Sequence, residues 1–267
     1  MAKITMLGTG NGSTIKLYNT CFVIENNNQK FLIDTGGSIE IVKRLNDINI
    51  SINEIKNIFI SHSHSDHIMG IFWLFKKLFS FVLRGEIIEK INIYCNNAVH
   101  TAIREVSKYI LPNKVMNSIY EVVNFVILDD NVQYKICGLD FTFFDIKAKS
   151  ISQYGFETKI NNKRVVFLGD ETLNPELYDK VRDADYVMHE AFCLDSEKDE
   201  YLGLLKTHCT TKSVSEVMNK LNVKNLILYH TEESHGEDRK RLYTSEALEH
   251  FDGKVIVPDD MDVIEII

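Results

Sequence analysis

The segment His62-Ser63-His64-Ser65-Asp66-His67 puts three imidazoles and one carboxylate into six residues. Neutral imidazole nitrogen and carboxylate oxygen are the donors that zinc and similar divalent ions take. In an extended loop, alternation sets His62 and His64 on one side. Asp66 and His67 then turn onto another as a helix begins, which suits two adjacent metals. A surface loop with chance histidines is the bland alternative, and the strand before the cluster and the helix after it argue against that. Three more polar residues close apolar runs: Asp34 after Phe31-Leu32-Ile33, Asp170 after Val165-Val166-Phe167-Leu168-Gly169, and His230 after Leu226-Ile227-Leu228-Tyr229. Loops at strand ends are where open sheets place their sites.

The elements that must position these residues read as hairpins first and βα alternation later. Lys3–Leu7 is a strand, and Cys21–Glu25 and Lys30–Asp34 flank Asn26-Asn27-Asn28, a turn that tolerates left-handed φ. Ser38 caps a helix through about Asn46. Asn57–Ile60 is a short strand, followed by a helix from about His67 into an aromatic-rich stretch reaching Leu83. Ile91–Tyr94 is a strand and Asn97–Ile110 a helix. Val132–Ile136 with Leu139–Ile146, and Phe156–Ile160 with Arg164–Gly169, form two further hairpins. Strands at Tyr186–His189, Leu226–Tyr229 and Val255–Val257 alternate with helices near Pro175–Val181, Lys212–Leu221 and Asp238–Phe251. The order predicts a layered α/β (α+β) protein. With no Pro/Gly/Ser-rich linker, residues 1–267 read as one domain.

The 267 residues carry 30 Lys+Arg against 38 Asp+Glu, and a net charge of −8 disfavours a surface that coats itself in nucleic acid or anionic lipid. Five scattered cysteines without a CxxC pair do not form a disulfide framework. No signal region is evident, and the most apolar stretch, Ile68 to Leu83, holds Lys76 and Lys77 and is too short to span a bilayer. The expectation is a soluble cytoplasmic protein without a membrane partner. Part of the aromatic helix is spare for a homodimer contact or a lid. His100, His235 and His250 need no function, and Arg239-Lys240-Arg241 reads as a solvated helix face.

Leu32-Ile33-Asp34-Thr35-Gly36-Gly37, the HxHxDH cluster, Leu168-Gly169-Asp170 and Leu228-Tyr229-His230 together resemble the metallo-β-lactamase-fold hydrolases over nearly the whole chain. Leu7-Gly8-Thr9-Gly10, Asn19-Thr20, His189-Glu190-Ala191 and His208-Cys209-Thr210 are similar to the ribonuclease Z-like (tRNase Z-like) phosphodiesterase branch. The resemblance implies a four-layer αββα sandwich with metal at one edge. It implies that His62 and His64 bind one metal, that Asp66, His67 and His230 bind a second, and that Asp170 bridges the two. Asp34 would orient a ligand histidine, with His189 in a similar supporting role. His208, Glu190 and Asp66 would be the catalytic residues, His208 giving a proton to the leaving oxygen. Zinc is the expected cofactor, with manganese or iron as alternatives.

Two departures refine this reading. Family members place another histidine just after the strand before Gly155, but no histidine lies between His100 and His189. Lys147 takes that position, with Lys149 as the other register, so one metal is expected to bind tightly and the other weakly or not at all. The long Gly/Pro-rich arm of tRNA-processing members is replaced by a hairpin, Gly155 to Asp170, and Thr231-Glu232-Glu233 stands where an arginine usually follows the last histidine. The expected substrate is therefore a small phosphodiester or short nucleic acid. The alternatives are a tRNA 3′-processing endoribonuclease, a thioesterase or lactonase, and a non-catalytic metal-binding sensor.

Overall fold

A computed structural model describes residues 2–86 and 89–267. The first sheet begins with β1 (Lys3–Gly8), β2 (Cys21–Asn26) and β3 (Gln29–Ile33), which pair antiparallel. The turn from β2 to β3 uses Asn27 and Asn28 at φ 48° and 65°, the left-handed region that asparagine accepts more easily than most residues. Helix α1 (Glu40–Asp47) leads to β4 (Asn57–Ile60), which pairs parallel with β3. Helices α2 (Ser65–Ile68) and α3 (Gly70–Leu83) follow, then β5 (Ile91–Cys95), α4 (Asn97–Ile110), α5 (Asn113–Val122) and β6 (Val123–Ile127), with both strands added in parallel.

The second sheet repeats this plan. β7 (Val132–Ile136), β8 (Leu139–Asp145), β9 (Tyr154–Ile160) and β10 (Lys163–Phe167) pair antiparallel. After α6 (Tyr178–Val181), β11 (Tyr186–Glu190) pairs parallel with β10. Helix α7 (Thr211–Lys220), β12 (Asn225–Tyr229), α8 (Arg239–Leu248) and β13 (Lys254–Ile256) extend it in parallel, and β14 (Val263–Glu265) returns to pair with β1. Among the described residues each sheet has seven strands. Asp34 follows the third strand of one antiparallel set and Asp170 follows the last strand of the other, so the two carboxylates stand at matching switch points.

Strand alternation sorts the core. Phe31 and Ile33 face the second sheet, where they join Phe22, Phe59, Phe141, Phe143, Phe156 and Phe167, while Leu32 faces outward toward α1 and α3. Val187 and Leu228 face outward on the other side, toward α7 and α8. The layers are therefore helix, sheet, sheet, helix, as expected. One face of α3 is core: Ile71, Phe72, Leu74, Phe75 and Leu78 are buried, while Trp73, Lys76, Lys77 and Leu83 are exposed. Among the described residues no helix is long and apolar enough to cross a membrane.

One surface expectation fails. Arg239 is not on a solvated face: it is 2% exposed, and its guanidinium donates to Thr231 Oγ1, Pro258 O and Asp259 Oδ1. A basic triplet in sequence is cut apart by helix geometry, which turns its first member inward.

Candidate metal centre

The parallel strands β3, β4, β10, β11 and β12 all deliver their C-terminal ends to one edge, and the site is built there. Asp34, at φ 54°, leaves β3 fully buried. Its Oδ1 accepts Ser61 N–H (2.8 Å), and its Oδ2 accepts Ser61 Oγ–H (2.7 Å) and faces His67 Nδ1 at 2.8 Å. That pairing keeps a proton on Nδ1 and turns the Nε2 lone pair inward. The turn is locked from behind, because His67 O accepts Thr35 N–H (2.9 Å) and Thr35 Oγ–H (2.8 Å). Gly70 is required here, since a Cβ would lie 2.0 Å from Thr35 O.

Asp170 Oδ2 is the centre of the cluster. It lies 3.4 Å from His62 Nε2, 3.3 Å from His67 Nε2 and 3.4 Å from His230 Nε2. Asp66 Oδ2 lies 3.3 Å from His67 Nε2 and 3.5 Å from His230 Nε2. His64 Nδ1 is 2.9 Å from His62 Nε2. Asp66, His67, Asp170 and His230 form one group whose donor atoms could hold a metal, and His62, His64 and Asp170 form a second. His67 Nε2, His230 Nε2 and Asp170 Oδ1 are buried without hydrogen-bond partners. Buried polar atoms are normally satisfied, and orphans converging from separate elements are what a cation would satisfy, so the residues fit a metal.

The electrostatics agree. Burial works against the charge on Asp66, but His67 and His230 outweigh it and hold the carboxyl well below the usual range. Asp170 is likewise lowered against burial, by His62 and His67. His67 is raised despite burial by Asp66, Asp34 and Asp170, and His230 is pushed up to about 10 despite burial by Asp66 and Glu190. His64, half-buried and beside His62, goes the other way.

Glu190, fully buried at the end of β11, is shared. Its Oε2 lies 2.7 Å from His208 Nδ1 and 3.4 Å from His230 Nδ1, and its Oε1 accepts Cys209 N–H at 3.1 Å. Burial disfavours the charged His208 ring, but the Glu190 hydrogen bond and charge raise its pKa overall. His208 stacks on His230 at 5.5 Å and on Phe192 at 5.0 Å.

The structure brings together His62, His64, Asp66, His67, Asp170, His230, Asp34, Glu190 and His208. His189 is elsewhere: strand alternation turns it outward into a cavity of about 70 Å³ with Leu173, Val214 and Met218, its Nδ1 on Glu190 O at 2.8 Å. The Lys147 ammonium lies 3.5 Å from Asp145 on an exposed side chain, and Lys149 contributes its backbone N–H to Glu171. Sequence reasoning missed Ser61, Gln153 and Glu171. Gln153 is fully buried against Asp170 N–H (3.4 Å), and Glu171 collects Lys149 N–H and Ser150 N–H. The only signal for Glu171 was its place next to Asp170.

The family described as "Anti-Pycsar protein Apyc1" matches residues 2–249. The chain belongs to that family. Within it, an Apyc1 protein of Bacillus phage vB_BveM-Goe7 is 40% identical over 70 residues, which is 26% of either chain. A ribonuclease Z of Archaeoglobus fulgidus is 24% identical over 305 aligned positions, covering 98% of this chain and 97% of that one. The metallo-β-lactamase-fold protein YhfI from Bacillus subtilis superposes with a TM-score of 0.79 at 16% identity, covering 98% of both chains. This Apyc1-family chain therefore has the metallo-β-lactamase fold, and its likeness to the ribonuclease Z-like branch extends over its length.

Proposed function

We propose that the protein is a metal-dependent phosphodiesterase acting on a small phosphodiester, such as a cyclic nucleotide or short oligonucleotide. One observation carries this reading: two donor groups share Asp170 directly beside the His208–Glu190 pair. His62, His64 and Asp170 would hold one ion, and Asp66, His67, His230 and Asp170 the other. Zinc in these sites would bring a water's pKa toward neutrality and stabilise negative charge developing on the phosphoryl oxygens. Asp34 fixes the His67 tautomer. His208, whose protonated form the Glu190 hydrogen bond and charge favour against burial, donates to the departing oxygen, and Glu190 holds that ring in place.

The preference for a small substrate rests on the β9–β10 connection and on charge. Asn161 and Asn162, at φ 51° and 63°, close that hairpin in two residues and leave no place for an RNA-gripping arm. The near full-length similarity to a ribonuclease Z favours precursor tRNA as the second reading. Protein loaded with zinc, manganese or iron is to be assayed on 3′,5′-cyclic nucleotides, bis-p-nitrophenyl phosphate, precursor tRNA, acyl thioesters and lactones. Turnover of the small diesters is the expected result. Preference for tRNA would select the second reading. Thioester or lactone turnover alone would refute both, and no turnover with any metal would point to a sensor.

A further inference from the structure

The chain between β1 and β2 crosses the edge of the metal centre and is held by carboxylates from distant segments. Glu233 Oε1 accepts Ile15 N–H at 2.9 Å, and its Oε2 accepts Lys16 N–H at 2.7 Å and Leu17 N–H at 3.0 Å. Glu232 accepts from Asn11 Nδ2. Asp260 accepts Thr9 N–H at 2.9 Å and Tyr18 N–H at 2.7 Å while paired with Arg44 at 2.8 Å. On its inner side the loop touches the site, since a Cβ on Gly12 would lie 3.1 Å from the Asp66 carboxylate. On its outer side Ile15 is 93% exposed.

An apolar side chain in water needs no explanation when the loop carrying it is loose. Here one carboxylate collects three consecutive N–H groups and fixes the tip, so the exposure of Ile15 is built in. The loop also walls a cleft of about 400 Å³, lined by Ile15, Lys16, Tyr18, Gly37 and Arg44, within the usual range for a small ligand. Gly37, in the lining of that cleft, packs next to the metal-centre segment, its Cβ position being 3.5 Å from Asp66 Cα. The loop that delivers His208 also ends in apolar side chains. Leu202 and Leu204 are 63% and 46% exposed, and Leu204 O accepts His208 N–H at 3.0 Å.

We propose that the Gly12–Leu17 loop is a wall of the substrate site, that Glu233 is its positioning residue, and that Ile15 contacts the face of a ring carried by the phosphodiester, as a nucleobase is. This rests on the phosphodiesterase reading above. The contact between aliphatic side chain and ring face is sequence-tolerant, so the loop sets affinity for a ring-bearing diester rather than a choice among bases.

The test uses zinc-loaded full-length protein, with Glu233→Ala and Ile15→Asp compared against wild type. Amide hydrogen exchange at residues 15–17 should be slow in wild type despite their exposure, fast in Glu233→Ala and unchanged in Ile15→Asp. KM for a 3′,5′-cyclic nucleotide should rise about tenfold in both variants, with kcat within about threefold and zinc content unaltered. Glu233→Gln, which keeps one acceptor, should fall between. Faster exchange in Glu233→Ala with an unchanged KM in both variants would make the loop scaffold only and overturn the proposal. Wild type that binds the nucleotide calorimetrically without hydrolysing it would refute the phosphodiesterase reading alone, and weakened binding in both variants would then still support the wall. Wild type that neither binds nor hydrolyses it overturns both.

Discussion

Replacing Asp34 with Asn separates what the fold needs from what the metal needs. The backbone tolerates the change, because φ at this position is 54° and asparagine accepts the left-handed region. The shape is the same and the site is fully buried, so no cavity forms. The amide oxygen can keep Ser61 N–H, but the amide NH₂ then stands where Oδ2 now faces Ser61 Oγ and His67 Nδ1. Ser61 Oγ can accept instead of donate. His67 Nδ1 can do so only if the ring proton moves to Nε2, the atom 3.3 Å from both Asp66 and Asp170 and the one a metal would use. Loss of one charge-assisted hydrogen bond costs about 1.5–3 kcal/mol of stability. Removing the partner that orients a ligand histidine typically weakens metal binding about 10–100-fold, or about 1.4–2.7 kcal/mol. Competition against a chromophoric chelator would read zinc affinity, and melting with and without zinc would read the fold. A folded Asp34→Asn protein with zinc affinity within about threefold of wild type would refute the tautomer argument. Asp34→Ala is the poorer probe, because it strands three buried donors at about 1–3 kcal/mol each and endangers folding itself.

His208→Ala should lower kcat by about 10²–10⁴-fold, the usual contribution of a positioned acid, with zinc content unchanged. Because Glu190 raises the His208 pKa against burial, activity should fall only as pH rises above the ordinary histidine value of about 6.5. Glu190→Gln removes the charge that favours imidazolium, so this basic limb should shift to lower pH, and a limb that stays in place would assign it to another group. Metal uptake should release protons. His67 is raised and His230 is pushed up to about 10 in the metal-free site, whereas a metal takes neutral imidazole. Calorimetry in buffers of different ionisation enthalpy should show about two protons released per zinc at neutral pH, and buffer-independent heats would contradict the pairing.

How much of this was legible in the sequence depended on range. The HxHxDH cluster is local, and Asp34, Asp170 and His230 each end an apolar run, so the site's donors could be read from position relative to strands. The Asn-Asn turns were legible for the same reason, since one residue type met one backbone requirement. Residues 113–127 were not legible: α5 begins after Pro112 without a side-chain cap and runs straight into β6 through Val122 and Val123, which suit either state. β14 is too short to carry a period. Glu233 and Asp260 were invisible because their partners lie 216–251 residues away, and Arg239 because only the packed helix shows which of three adjacent cations turns inward. Lys147 shows the limit of register counting. The position was countable, but its φ of 59° carries the side chain out to Asp145.

The two donor groups that share Asp170 are unequal, and that inequality predicts the metal count. Asp66, His67, Asp170 and His230 supply four donors, matching the four-coordinate preference of zinc, and three of the four are buried. His62, His64 and Asp170 supply three, and no fourth histidine, cysteine or carboxylate joins them among the described residues. His62 Nε2 and His64 Nδ1 are also hydrogen-bonded to each other at 2.9 Å, a contact an ion must break before it can use both. His64 is only partly buried, so water competes for its nitrogen. Lys147 supplies nothing to this group, because its ammonium is exposed on Asp145. Metal analysis of extensively dialysed protein should therefore find one zinc per chain, with a second restored only in excess metal. Lys147→Ala should leave both numbers unchanged. Two ions that survive dialysis equally would show that a donor outside these six side chains completes the first site, and Gln153, fully buried against Asp170, would be the side chain to replace next.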